Sequence, residues 1–316
     1  MHFITSAISD IGLTRTSNQD SAYISDKFIL VADGMGGYVG GDLASRIVVD
    51  FLSKLDHSNI TDHNKVKQNI EQILQNAKET FGKLIIENPN LNMMGSTITF
   101  LVLVENKILL GHVGDSRAYK FSNKKLVQLS HDHTVVQQLV DSGKLTLKKA
   151  KNNDSRHQLT RVFGFFDIET NPDIELLDCK VGDRYILCSD GLSAFVSDKV
   201  IEKTLGRFQD DDQASQKLVE LAMRNGSTDN ITVVVASVFA DEAQNREKQK
   251  LGSAAQKPDQ ENPANKTSGS DEMIDKEDEQ RANKKKVHNE KSKSKYTESR
   301  STNKKLIAKP FWSIFK

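Results

Sequence analysis

Aspartates interrupt the most apolar runs of this chain, and that conflict constrains its fold more than any other feature. The run KFILVA at 27–32 enters Asp33-Gly34, the run ending at Val113 is followed by Gly114-Asp115, and Tyr185–Ser189 enters Asp190-Gly191. Asp229 stands just ahead of a further run, Ile231–Phe239. Such continuous apolar runs read as strands buried on both faces. A strand end fixes a carboxylate in place, but burying it unpaired is costly unless a cation compensates it.

Taken singly, each of these acids has a bland reading. An Asp-Gly pair is ordinarily a turn, Asp115 fits a hairpin turn, and Asp20 in Asn18-Gln19-Asp20 fits a helix cap or loop acid. The set points elsewhere. Asp20, Asp33, Asp115, Asp190 and Asp229 together are the oxygen donors that hard divalent ions prefer. The glycine after Asp33 lets the backbone approach an ion, which makes the Gly34 carbonyl a candidate ligand. Arg15 shares the polar loop before Asp20. Its planar fork suits a phosphate, although a lone arginine in such a loop is ordinarily solvated.

Between these points the pattern alternates. Leu43, Ile47, Val48, Phe51, Leu52 and Leu55 have helical spacing, and a second helix is expected from about 64 to 87, ended by Asn88-Pro89-Asn90. Ser96–Val104 and Lys107–Val113 read as a hairpin around Glu105-Asn106, followed by strands at Arg117–Phe121 and Leu126–Leu129. Helices fit at 133–142, 197–205 and 213–225, while 144–178 is less regular. Hairpin-linked strands with helices grouped before and between them indicate an antiparallel α+β fold.

Charge divides the chain. Residues 281–316 carry roughly +10 and 241–280 roughly −5, leaving roughly −4 for 1–240 of a formal total of +1. The mildly acidic body argues against a nucleic-acid surface. After about residue 240 the chain is too polar to offset its ordering entropy, so 241–305 is expected to be a disordered charged tail. Apolar residues return in 306–316, around Pro310, Phe311, Trp312, Ile314 and Phe315. That end segment leaves two readings open: a solvated tail with a short docking end, or contact with an anionic membrane surface. Cys179 and Cys188 sit among apolar neighbours and read as buried thiols. MHFITSAISD has no secretory pattern and Ile98–Val104 is too short to span a bilayer, so a cytoplasmic location is the default expectation.

At this point the motifs resemble the type-2C, metal-dependent protein serine/threonine phosphatases, in their bacterial branch. In order they are SDIGLTRTSNQDS at 9–21, VADGMGG at 31–37, GST at 95–97, HVGDSRAY at 112–119, DHTVVQQLVDSGKLT at 132–146, LCSDGLS at 187–193 and STDNITVVVA at 227–236. They span about 1–240, a whole catalytic domain. The resemblance implies a four-layer α-β-β-α sandwich of two antiparallel sheets flanked by helices. It implies manganese or magnesium, two ions plus a weaker third. Asp33 would bridge the two ions, with the Gly34 carbonyl on one of them and Asp190 and Asp229 completing the other's shell. Asp20 would hold bound waters, and Asp115 with Asp190 would serve the third ion. Arg15 would bind the substrate phosphate, and Asn230 would orient Asp229. The implied reaction is attack by metal-activated water on phosphoserine or phosphothreonine, opposing a serine/threonine kinase. A monomer is expected.

Three alternatives compete. A cysteine-nucleophile phosphatase fails because neither Cys179 nor Cys188 has an arginine six residues later, and a kinase or ATPase reading lacks a P-loop. A non-catalytic module that kept the fold would be expected to lose acids, and all five are present. One departure matters. Bacterial relatives often follow DGMGG with a histidine, a candidate proton donor, where this chain has Tyr38, and Asp42 stands for the usual glutamate. A phenol with a reference pKa of about 10 is a poor donor near neutrality, which leaves the general acid unassigned. His131 and His133 are near in the pattern but read first as loop or helix-start residues.

Overall fold

A computed structural model describes residues 1–57, 62–150, 153, 155–164, 171–240 and 248–256, the side chains of Tyr38, Val39 and His57 excepted. Two strands open the chain, β1 (His2–Asp10) and β2 (Asp20–Ile24), followed by β3 (Phe28–Met35), α1 (Gly37–Leu52) and α2 (His63–Glu87). Next come β4 (Gly95–Ser96), β5 (Ile98–Val104), β6 (Lys107–Val113), β7 (Arg117–Ser122) and β8 (Lys125–Gln128), then α3 (Val135–Asp141) and α4 (Leu147–Ala150). The remainder is β9 (Asp173–Asp178), β10 (Arg184–Cys188), α5 (Asp190–Ser193), α6 (Asp198–Arg207), α7 (Asp211–Arg224), β11 (Ile231–Phe239) and β12 (Gln249–Gly252).

All pairings are antiparallel and build two sheets. One has the order β1-β11-β10-β7-β8; the other runs β12-β2-β3-β5-β6-β9, with β4 on β3. Strands in the middle alternate between two cores. In β3, Phe28, Leu30 and Ala32 face the cluster under α1 and α2, whereas Ile29 and Val31 face the core between the sheets. In β11, Val234 and Ala236 join the inter-sheet core, and Val233 and Val235 pack under α6 and α7. Both faces are buried, which is why these runs are apolar throughout rather than alternating. Each fully buried Val, Leu, Ile or Phe contributes about 1.5–3 kcal/mol of transfer free energy. The expected α-β-β-α layering is what forms.

Helix boundaries follow local chemistry. α2 starts where the Asp62 carboxylate accepts from the Asn64 amide at 2.9 Å, and buries Val66, Ile70, Leu74, Ala77 and Phe81. Cys179 and Cys188 are free and buried, and burial raises both thiols, Cys188 to about 12. Among the described residues no helix is long and apolar enough to cross a membrane.

One expectation is corrected. Residues 248–256 fall in the segment read as a disordered tail, yet they form β12 and a short 3-10 turn on the edge of β2. Net polarity misleads here because Lys248 and Lys250 pair with Asp56 and Asp50, at 2.8 and 2.6 Å, while Leu251 and Ala254 reach the cores. The rest of 241–316, including the basic run and the Trp312 segment, lies outside the described residues.

Candidate active site

The five aspartates sit at strand ends that converge. Asp20 begins β2 and stands directly opposite Asp33 in β3. Asp115 follows β6, Asp190 follows β10, and Asp229 precedes β11. Asp33, Asp115, Asp190 and Asp229 line one cavity of about 430 Å³, together with Arg15 and Gly34. Asp20 lies beneath it, 1% exposed. The structure therefore brings Arg15, Asp33, Gly34, Asp115, Asp190 and Asp229 to one cavity, with Asp20 packed against Asp33 behind it.

Each acid is fixed by different means. The Asp33 amide donates to Thr97 Oγ1 at 2.9 Å, and its carbonyl accepts from the Thr97 amide at 2.8 Å and Ser96 Oγ at 3.1 Å. Asp20 Oδ2 accepts from Ser189 Oγ and Thr232 Oγ1, both at 2.7 Å, which ties the first residue of β2 to the opposite sheet. The Asp229 carboxylate takes Arg15 Nη2 at 2.7 Å and the Asn230 amide at 2.8 Å. Asp190 Oδ2 stands 3.3 Å from His157 Nδ1, and its Oδ1 is buried without a hydrogen-bond partner among the described residues. Gly34 admits no side chain: a Cβ there would stand 1.9 Å from the Gly41 carbonyl oxygen.

Electrostatics sets the problem the site must solve. Burial pushes the Asp20 carboxyl up to about 7; the Thr232 and Ser189 hydroxyls oppose this, and Asp190 and Asp229 add to it. Burial also raises Asp33 well above the ordinary carboxylate range, reinforced by Asp20, Asp190, Asp115 and Asp229. Asp115 is raised by burial and by Asp190 and Asp132, with Arg117 opposing. The hydrogen bond to Asp229 holds Arg15 above its usual value. Close carboxylates with an orphaned oxygen and no fixed ammonium among them fit hard divalent cations. No three of them form a ready coordination shell among the described residues. Asp229 is turned onto Arg15 and Asp190 onto His157.

One role differs from expectation. The Asn230 side chain does not hold the Asp229 carboxylate. It accepts from the Gln19 amide at 2.8 Å and donates to the Ile11 and Ser17 carbonyls, organising the loop that carries Arg15. Orientation of Asp229 falls to the Asn230 backbone amide. His131 and His133 do not line the cavity. His131 meets Asp141 at 2.8 Å, and His133 accepts from the Gly114 amide and faces Asp173, as loop residues do. His157 lines the cavity and was not singled out, because the irregular stretch 144–178 carries no pattern to flag it. The Tyr38 side chain lies outside the described residues.

Comparison with known proteins identifies the family and the fold. The family model described as protein phosphatase 2C matches residues 6–231. The serine/threonine protein phosphatase PstP of Mycobacterium tuberculosis is 36% identical over 232 residues, 73% of this chain and 44% of that protein. The serine/threonine phosphatase stp of Listeria monocytogenes is 30% identical, covering 72% of this chain and 92% of its own length. Thus the chain spans less than half the length of the mycobacterial relative but nearly all of the listerial one. The crystal structure of the mycobacterial PstP superposes with a TM-score of 0.72 at 34% identity, covering 76% of this chain and 100% of that one. A second structure, the PstP catalytic domain in complex with two manganese ions, gives 0.69 at 34% identity, covering 76% and 99%.

Proposed function

Because the chain belongs to the protein phosphatase 2C family, we propose that it hydrolyses phosphoserine and phosphothreonine in proteins with the help of divalent cations. The observation that carries this reading is the single cavity lined by four carboxylates and Arg15. Asp33, the Gly34 carbonyl, Asp190 and Asp229 would hold two cations, Asp20 would anchor their waters, and Asp115 with Asp190 would take a weaker third. Manganese is supported by the relative whose catalytic domain carries two such ions; magnesium shares the preference for oxygen donors. When bound, such ions supply Lewis acidity that activates water and offsets charge on the phosphoryl oxygens.

The chain's own residues supply the rest. Arg15, half exposed and paired with Asp229, turns its remaining donors to the equatorial phosphoryl oxygens, where a planar fork binds two at once. Thr97 and Ser96 hold the Asp33 backbone so that its carboxylate does not drift during turnover. Asn230 fixes the approach of the Arg15 loop. Partners on this reading are phosphoproteins, including a serine/threonine kinase and its substrates. On this reading the protein works as a monomer in the cytoplasm, and the basic end of the chain keeps both of its sequence readings, a solvated tail with a short docking end or contact with an anionic membrane surface.

Hydrolysis of a phosphothreonine peptide in manganese tests the reading. Turnover is expected, with loss in excess chelator, and Arg15→Ala is expected to raise KM about tenfold, as loss of a charged hydrogen bond does. Full activity in excess chelator would overturn it.

A further inference from the structure

We infer that residues 248–256 form a strap that belongs to the site, with Ser253 as a positioning residue for Asn18, Gln19 and Asp20; this rests on the function proposed above. The strap lies beyond residue 231, where the family's match ends. Its strand β12 pairs with β2 from Gln249 opposite Ile24 to Gly252 opposite Ser21, covering the edge of the strand that Asp20 begins. Gly252 then turns the chain with φ +63°. Only glycine fits there, since a Cβ would stand 2.2 Å from the Asp20 carbonyl oxygen and 2.9 Å from Ser9 Oγ. Ser253, 1% exposed, donates its hydroxyl to the Asn18 carbonyl. The Ala254 amide donates to Ser21 Oγ at 3.1 Å, and Ser21 Oγ meets Ser45 Oγ of α1 at 2.9 Å.

Asn18 is the point at which this strap reaches the acids. Its Oδ1 accepts from the Asp20 amide at 3.1 Å, and its Nδ2 donates to Ser9 Oγ at 2.9 Å. Ser9 Oγ in turn lies 2.8 Å from Thr232 Oγ1, which donates to Asp20 Oδ2. The donors run in one direction around this circuit, so Asn18 holds both the backbone and, through two hydroxyls, the carboxylate of Asp20. The next residue spreads the hold. The Gln19 amide donates to Asn230 Oδ1 at 2.8 Å, its carbonyl accepts from the Gly34 amide at 3.1 Å, and its Nε2 reaches the Gly37 carbonyl at 2.8 Å. Residues 18–20 thereby join the segments carrying Asp33, Asp229 and Asp20. The strap is the outer support of that junction, and none of its residues lines the cavity.

The test uses the full chain with two variants. Ser253→Ala removes the hydroxyl at constant packing, and Gly252→Ala forces the strap from the Asp20 carbonyl. Hydrogen exchange of the metal-free protein is read at the amides of Gln19, Asp20 and Gly34, with Ile186 and Leu187 of β10 reporting global opening. Exchange at the first three is expected to rise about tenfold in both variants with β10 unchanged, the scale of one lost buried hydrogen bond. Manganese affinity by calorimetry is expected to fall by a similar factor. Unchanged exchange at the three amides in both variants would overturn the inference, as would equal acceleration in β10, which marks a general loss of stability. Failure of the unaltered chain to bind manganese would instead sink the proposed function, and the exchange measurement would still decide the role of the strap.

Discussion

Asp20 has almost no access to solvent, accepts two hydroxyl hydrogen bonds and faces the charges of Asp190 and Asp229. Its folded-state pKa, about 7, lies above the ordinary 3.8. For an acid shifted upward, the unfolded chain releases its proton first, so the contribution to stability is full below about pH 4 and is lost as pH rises through about 7. Asp20→Asn, which can still accept from both hydroxyls, removes that loss. In chelator, the melting temperature of the variant is expected to approach the unaltered chain's near pH 4 and to exceed it at pH 8. A constant gap across that range would contradict the burial account. Asp33, Asp115, Asp190 and Asp229 were legible in the sequence because each breaks or borders an apolar run, whereas Asp20 was legible only through the family motif around it. The partners of Asp20 were not: Ser189 and Thr232 come from 169 and 212 residues away, and nothing local marks them. His157 was missed for a related reason, since it reaches Asp190 from a stretch without periodicity.

At the scale of elements, β3 ends where α1 begins, and the two pack backbone to backbone. A Cβ at Gly34 would meet the Gly41 carbonyl at 1.9 Å and the Gln19 carbonyl at 2.7 Å, neither of which can yield as a side chain would. Gly34→Ala is expected to cost about 3 kcal/mol, a melting-temperature fall of roughly 5–10 °C. It should also weaken manganese binding, because the displaced backbone carries Asp33. A variant with unchanged melting temperature would show that the close approach is not real. The amphipathic helices and the β5–β6 hairpin followed from spacing and turn residues. β1, β9 and β12 did not. β1 carries mixed polarity and gains its order by pairing along its whole length with β11. β9, DIELLD, is largely exposed at a sheet edge and shows little inward pattern. β12 is short and polar, and its order comes from the β2 edge and two lysine–aspartate pairs rather than from its own apolar content.

For the molecule as a whole, two sheets share one core, and their strand ends bring to one cavity the charges that the strands themselves could not bury. Sheet pairing supplies rigidity, Asp20 bridges the sheets through Ser189 and Thr232, and the strap braces the loop between β1 and β2. Such a scaffold spends stability to hold carboxylates together, and bound cations would recover it. The most direct test is a calorimetric titration of manganese into the metal-free protein, alongside Asp33→Asn. The account predicts at least two bound ions per chain, with a rise in melting temperature, and loss of at least one ion in the variant. No binding, or identical binding in the variant, would contradict it.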